Sequence, residues 1–389
     1  MSDNTKIEWC DASWPVVAGC SPASAGCNHC YAATLTSGRL KNRPEYAGLA
    51  VRGEFTGDVR LLEDRLDWPL RWRRPRKIFV CDMADLFHPK VPDEFIARVF
   101  AVMAATPQHT YQVLTKRHAR MRSLLSRGAP GAGGFAGDMG QATAESGHAG
   151  PGRWPLPNVW CGVSVEDQKQ AGIRVPDLVR TPAAVRFLSC EPLLGPVDLS
   201  AWMPPGFASW RCGRCGRFYS GTHQVTCPGC GHEGYWCGSH AGNGCPNGQP
   251  VGWVIAGGES GTGARPAHPD WFRSLRDQCQ GSGVAFHFKQ WGEWGPAPWA
   301  VRVCDPAAGW QGTPCELEAA KAEAERTRAT HAVRPSGHLY EPPHKPWSLE
   351  RAGDDPGAVR RYGKKAAGRV LDGRTWDEFP VAAGLAVTT

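Results

Sequence analysis

No stretch of this 389-residue chain is apolar for long enough to cross a bilayer. A spanning helix needs about 20 mostly apolar residues, and the longest candidates, such as Ile96–Ala105, fall far short. The residues from Met1 to Lys6 lack the apolar core of a secretory signal. The sequence therefore reads as a cytoplasmic protein with no membrane partner. A strong charge excess is missing too: a net +7 allows a nucleic-acid partner without demanding one. No internal repeat is visible, which sets aside a solenoid or propeller.

What the chain has in unusual number is cysteine. It carries 16, with 17 tryptophans, in a sequence that is 41% hydrophobic and so able to bury a sizeable core. A disulfide framework would suit a small exported protein, not a chain of this length without an export signal. Seven cysteines fall into two tight groups, Cys20/Cys27/Cys30 and Cys212/Cys215/Cys227/Cys230. Such grouping in a reducing compartment points to metal ligation.

Short apolar runs alternate with helical periods. Lys77–Val80, Tyr111–Leu114, Val159–Val163, Val185–Leu188, Trp253–Ala256 and Ala285–Phe288 read as buried strands. Pro92–Ala105, His118–Leu125, Asp167–Arg180 and Pro269–Cys279 read as helices. Six or seven such units imply a parallel sheet, either a full or partial (β/α) barrel or a doubly wound open sheet. Residues 1–206 would form the first part of a barrel with an N-terminal cysteine loop, 207–250 an insertion, 251–295 the rest of the barrel, and 296–389 an irregular extension. Arg127–Arg153, rich in glycine and alanine, reads as a loop, Glu316–Arg328 as a charged helical patch, and Arg361–Pro380 as a docking segment.

Each strand is followed at once by polar or small residues: Asp82 and Asp85, Lys116 and Arg117, Ser164 and Glu166, Glu191, Gly257-Gly258-Glu259, and Lys289. Polar residues mark strand ends in any fold. In a barrel, however, these ends converge on one rim, where such folds keep their active sites. Lys116, Glu166 and Glu191 are the candidate catalytic groups. Glu191 and Lys289 could equally be an ion pair that stitches the rim.

Cys20, Cys27 and Cys30 form a C-x6-C-x2-C loop followed by Tyr31. Three thiolates on one loop can hold three irons of a [4Fe–4S] cluster and leave the fourth open to a chelating cofactor. Zinc is the rival, with His29 or Cys10 as further ligands. Cys212, Cys215, Cys227 and Cys230 give C-x2-C-x11-C-x2-C, two knuckles whose four thiolates would close a structural Zn2+ site in a ribbon. Cys237, His240 and Cys245 follow without tight pairing.

The cysteine loop with its aromatic neighbour, at the mouth of a barrel, resembles the signature of radical S-adenosylmethionine (radical SAM) enzymes, with a longer first gap than the usual C-x3-C-x2-C. Cys81–His88 and Leu114–Arg117 are similar to motifs of the spore-photoproduct-lyase-like branch. Over most of its length the chain resembles a phage and prophage family known by gene-product numbers. That likeness rests on Ile7–Asp11, Met83–His88, Leu114–Arg117, Gly162–Glu166, Ser189–Gly195, Gly257–Gly261, Phe288–Gly292 and Leu371–Asp377. The radical SAM resemblance implies a [4Fe–4S] cluster on Cys20, Cys27 and Cys30, and S-adenosylmethionine cleaved to a 5′-deoxyadenosyl radical. It also implies an electron donor such as flavodoxin or ferredoxin. Tyr31, Asp85, Gly257, Gly258, Glu259 and Lys289 would then line the cofactor site, with Glu259 taking the cofactor's ammonium or a ribose hydroxyl. Together with the ribbon and the basic stretch Arg71–Lys77, it points to a nucleic-acid base or nucleotide as substrate, DNA before RNA. A peptide or small-metabolite substrate is the alternative within that chemistry; a non-catalytic, zinc-stabilised nucleic-acid-binding protein is the alternative outside it.

Overall fold

The six apolar runs all become strands of one sheet, and a seventh joins them at its edge. In the computed structural model they are β1 (Ala12–Trp14), β2 (Lys77–Val80), β3 (Thr110–Thr115), β4 (Val159–Ser164), β5 (Val185–Cys190), β6 (Trp253–Gly257) and β7 (Ala285–Gln290). The structure describes residues 5, 7–127, 134–145, 147, 153–204, 250–296 and 362–380, with the backbone of short strands at 210–211, 218–219, 331–333, 339–340 and 357–361. Cys212, Cys215, Cys227, Cys230, Cys237, His240, Cys245 and the patch Glu316–Arg328 lie outside the described residues.

Strand order in the sheet is chain order, β1 to β7, and every neighbouring pair is parallel. A doubly wound sheet needs a switch point where the order reverses. None exists here, so that alternative falls, and the sheet curls into a half-barrel. Strand β1 escaped the sequence reading because Ala-Ser-Trp is too short to show a period; pairing with Ile78–Val80 makes it a strand.

Helices α1 (Tyr31–Ser37), α2 (Asp93–Ala105), α3 (His118–Leu125), α4 (Phe135–Glu145), α5 (Gln168–Val179) and α6 (Pro269–Ser282) join successive strands. Helix α2 starts after Pro92, whose extended backbone ends the preceding turn, and buries Phe95, Ile96, Val99, Phe100 and Met103 at helical spacing. Helix α4 corrects the reading of 127–153 as loop alone. Phe135, Met139 and Thr143, four apart, form a buried stripe, and the Phe135 ring meets Phe100 of α2 at 5.2 Å. Glycine content masked that stripe. No helix among the described residues is long and apolar enough to cross a membrane.

Alternation along the strands divides the core in two. Ile78, Val80, Tyr111, Val113, Cys161, Val163, Leu188, Val254, Phe286 and Phe288 point outward into one cluster with the helices. Phe79, Trp160, Phe187, Trp253 and Ile255 point into the concave side and cluster with Trp9 from the segment before β1. Trp253 is the hub, its ring centroid 6.2 Å from Trp9, 5.8 Å from Trp160, 5.6 Å from Phe187 and 5.2 Å from Phe379. Phe379 arrives with the C-terminal segment, which covers the free edge of β7: Phe288 N donates to Trp376 O at 2.9 Å and Glu378 N to Phe286 O at 3.2 Å.

Toward the C-terminal ends of the strands the inward positions change character to Gly162, Ser164, Ser189, Gly257 and Lys289. The concave side is thus plugged by aromatics at one end and small or polar at the other. Replacing Trp253 with alanine should cost about 3–5 kcal/mol in urea unfolding, whereas Ile173→Ala on the exposed face of α5 should stay within about 0.5 kcal/mol. Equal losses would mean that the aromatic layer does not hold the curl.

Candidate active site at the C-terminal rim

The cysteine loop lies across the C-terminal rim, and side chains from four strand ends hold it there. After β2, His88 Nε2 meets Ser21 Oγ at 2.9 Å. His88 Nδ1 accepts the Lys90 N–H at 3.2 Å, which leaves Nε2 as the donor. Burial, then the Arg117 charge, lowers the His88 pKa and keeps this ring neutral. After β3, Arg117 Nη2 donates to Ser21 O at 2.7 Å and to Ser21 Oγ at 2.9 Å.

After β4, Glu166 accepts the Gly26 N–H at 3.4 Å. A Cβ at Gly26 would sit 3.1 Å from that carboxylate, so glycine is what permits the approach. Glu166 is fully buried and pairs with Arg174 of α5 at 2.8 Å. Burial pushes its carboxyl up, but Arg174, with Ser24 and Lys116 behind it, pulls it down further, and the net value lies below the ordinary 4.5. After β6, Arg265 donates to both Glu259 oxygens, at 2.6 and 2.8 Å, and to Ala25 O of the loop at 3.0 Å. His29 Nδ1 lies 3.2 Å from the same carboxylate.

The remaining candidates divide between the rim and the interior. Asp85 is buried and satisfied by Thr115 Oγ1 at 2.6 Å, Phe87 N at 3.0 Å and Lys116 N at 3.0 Å, which ties the β2 turn to the β3 turn. The Lys116 ammonium donates to Ser164 Oγ at 3.1 Å. Lys289 pairs with Glu191 at 3.1 Å, and Ser189 Oγ lies 3.4 Å from the same carboxylate. The rim-stitching ion pair is therefore present. The Tyr31 hydroxyl donates to Asp82 O while its ring stays exposed.

The two glycines serve the protein's own packing. A Cβ at Gly257 would fall 2.6 Å from Glu191 Oε1, and one at Gly258 would fall 1.9 Å from Trp291 O. Glu259, held by Arg265 and His29, has its carboxylate committed to the loop.

Cys20, Cys27 and Cys30 are free and partly exposed. Burial, with Asp85 second, pushes the Cys20 thiol up to about 12, and its Sγ turns to Ser21 O at 3.5 Å. Cys27 Sγ accepts the Ala23 N–H at 3.4 Å. Among the described residues no group of three or more His, Cys, Asp or Glu is arranged to hold a metal ion. The Cys20 and Cys27 sulfurs thus each rest against backbone of their own loop. The donor set itself, three soft sulfurs on one loop with no carboxylate among them, fits an iron–sulfur cluster or zinc and not a hard cation. His29 Nδ1 turns to Glu259, and Cys10 Sγ faces Ile7 O at 3.8 Å.

Sequence reasoning did not find Arg174, Arg265 or His88. Arg174 stands nearly two turns into α5 and reaches back along the helix to Ser164 O and Glu166, a contact that no spacing announces. Arg265 sits in a loop with no period to reveal it. Asp82 stood among the strand-end residues without a role; burial raises its carboxyl to about 6, and its Oδ1 has no partner among the described residues.

A family model described as "Protein of unknown function (DUF5131)" matches residues 4–380. No curated protein matches the sequence. Among solved structures, a mutant of spore photoproduct lyase is similar at 12% identity and a TM-score of 0.23, over 48% of this chain and 58% of that one. The chain thus spans less than two thirds of that structure's length.

The Glu166–Arg174 pair makes a prediction. Its carboxyl titrates below 4.5 in the folded chain, so the stability it contributes is complete above that value and fades as pH falls through the folded value. Arg174→Met leaves a buried carboxylate alone and should cost about 3–5 kcal/mol at pH 7. In Glu166→Leu/Arg174→Met most of that loss should return, and the melting temperature should fall less than in the wild type between pH 5 and 3. A single variant as stable as the wild type at pH 7 would contradict the pairing.

Proposed function

We propose that this chain, which belongs to the family described as "Protein of unknown function (DUF5131)", is a radical SAM enzyme. The observation that carries the reading is the clamping of a three-cysteine loop over the C-terminal mouth of a parallel half-barrel by His88, Arg117, Glu166 and Arg265. Rim residues lie up to 240 positions from the loop in sequence, yet four strand ends converge on it. A loop fixed this firmly is suited to presenting its thiols to one acceptor.

Cys20, Cys27 and Cys30 would hold a [4Fe–4S] cluster, which when bound supplies the electron that cleaves S-adenosylmethionine to a 5′-deoxyadenosyl radical. The chain's own residues supply position and exclusion of water. Glu166 and Glu259 act on the loop, not on substrate, and we assign them as positioning residues. Lys116, Glu191 and Lys289 stand at the strand ends, where Ser164 and Ser189 keep the inward positions small, while the Phe187 ring fills the space beside Gly162. There they would orient polar groups of cofactor and substrate by charge-assisted hydrogen bonds. Asp82, with an unpartnered oxygen and a carboxyl raised to about 6, can accept or donate a proton near neutral pH. The aromatic plug beneath keeps solvent from entering behind the site. We take the substrate to be a nucleic-acid base or nucleotide, and the ribbon cysteines Cys212, Cys215, Cys227 and Cys230 to bind a structural Zn2+.

Anaerobic reconstitution with iron and sulfide tests this. The wild type should take up about four irons on the loop and, with a reductant, convert S-adenosylmethionine to 5′-deoxyadenosine. Cys27→Ala should lose both while melting at the wild-type temperature. Undiminished cleavage in Cys27→Ala would remove the loop from the chemistry.

A further inference from the structure

The outer face of α1 offers what the mechanism leaves unused. Helix α1 buries Ala32, Ala33 and Thr36, and presents Tyr31 and Leu35, one turn apart, to solvent with 51% and 37% of their surface exposed. Val51, 59% exposed, stands on the adjacent hairpin of Ala50–Val51 and Glu54–Phe55. That hairpin is tied to the helix through Gly53 N and Ser37 Oγ at 2.9 Å. Three large apolar side chains are therefore bare on α1 and the hairpin tied to it, and the first of them follows Cys30 directly.

Cations lie on the turns that flank them. Arg39, Lys41 and Arg43, on the turn that leaves α1, and Arg52 at the hairpin tip are all exposed. None of the four has an ion-pair partner among the described residues. The nearby carboxylates Glu45 and Asp58 are taken by Arg65 and Lys90, which leaves Glu54 alone against four positive charges. Arg52 also sits where an arginine is disfavoured. The two-residue turn Arg52-Gly53 has φ of +51° and +85°, a conformation that asparagine and glycine adopt more easily. An arginine kept in left-handed backbone at an exposed tip invites a functional reading.

We propose that this face binds single-stranded nucleic acid, with phosphates on Arg39, Lys41, Arg43 and Arg52 and a base against the Tyr31 ring; the proposal rests on the substrate reading above. A cationic track beside an aromatic platform is how proteins hold single strands without reading sequence. The Tyr31 hydroxyl, donated to Asp82 O, pins the ring so that its face is presented ready-made. A strand passing here runs beside the mouth, and a base inside a duplex could not reach that mouth without leaving its stack.

The test is fluorescence anisotropy of a labelled oligo(dT) strand across a salt series, with the full-length protein. The triple variant Arg39→Gln/Lys41→Gln/Arg43→Gln should bind more than tenfold more weakly at low salt. Its slope of log K on log salt should be shallower by about 2, since each phosphate contact on a single strand contributes about 0.7. Arg52→Asn should weaken binding while melting no lower than the wild type, because the turn is relieved. Both variants should load iron and cleave S-adenosylmethionine as the wild type does. Failure of the wild type to bind the strand, or unchanged affinity and slope in the triple variant, overturns the proposal. So does a triple variant that binds the strand normally but is reduced more slowly by an acidic flavodoxin, since the face would then serve a protein. A wild type that binds the strand through this face yet holds no cluster would refute the enzymatic reading and leave the surface standing.

Discussion

The packing around Trp253 is the contact on which the rest of the molecule depends. A parallel sheet wound in one direction has a twist but no fixed curl. Here the concave face is set by large rings: Trp9 from before β1, Trp160 from β4, Phe187 from β5 and Phe379 from the C-terminal segment all meet Trp253 within 6.2 Å. Edge-to-face and tilted pairs of this kind add about 0.5–1.5 kcal/mol each beyond the area they bury. They come from both ends of the chain, so they also tie the open sides of the half-barrel together. Lys77 of β2 stands 3.8 Å over the Phe379 ring, across the same gap.

With the curl fixed, the strand ends share a rim, and electrostatics takes over from packing. Two carboxylates, Glu166 and Glu259, are each buried against an arginine; Glu166 accepts the Gly26 N–H of the loop, and the arginine held by Glu259 donates to Ala25 O. Burying a charge is costly unless it is paired, and both pairs are. Burial raises the Glu259 carboxyl, but Arg265 and His29 more than offset it. Both carboxylates of the clamp are thus held below the ordinary carboxylate value. The Lys289–Glu191 pair and the Lys116–Ser164 contact join neighbouring strand ends without touching the loop, although the Lys116 charge also helps to hold the Glu166 carboxyl down.

The strands were legible because each carries a run of inward and outward apolar residues bounded by a polar turn; Val185–Leu188 is typical. Helix α2 was legible from its period, and Pro92 from its fixed φ. Strand β1 was not, since three residues define no period and its pairing with β2 spans more than sixty residues of sequence. Helix α4 was hidden by glycines between its buried Phe135 and Met139. At the site, the strand-end rule gathered Asp85, Lys116, Glu166, Glu191, Glu259 and Lys289 on one rim, but not what each touches. The Gly257-Gly258 pair looked like room for a ligand and instead makes room for Glu191 and Trp291. Glu259 looked free and is held by Arg265, a partner no spacing announces. Position follows from topology, which sequence patterns carry; commitment of a carboxylate depends on loop geometry, which they do not.

The central claim is that the loop thiols present an iron cluster with one site open to a cofactor. Electron paramagnetic resonance of the reconstituted, reduced protein, recorded before and after adding S-adenosylmethionine, tests it most directly. The account predicts a reduced-cluster signal that shifts on addition of the cofactor in the wild type and is absent in Cys30→Ala. A wild-type signal that does not respond to S-adenosylmethionine, or a loop that takes up zinc and gives no signal at all, would contradict it.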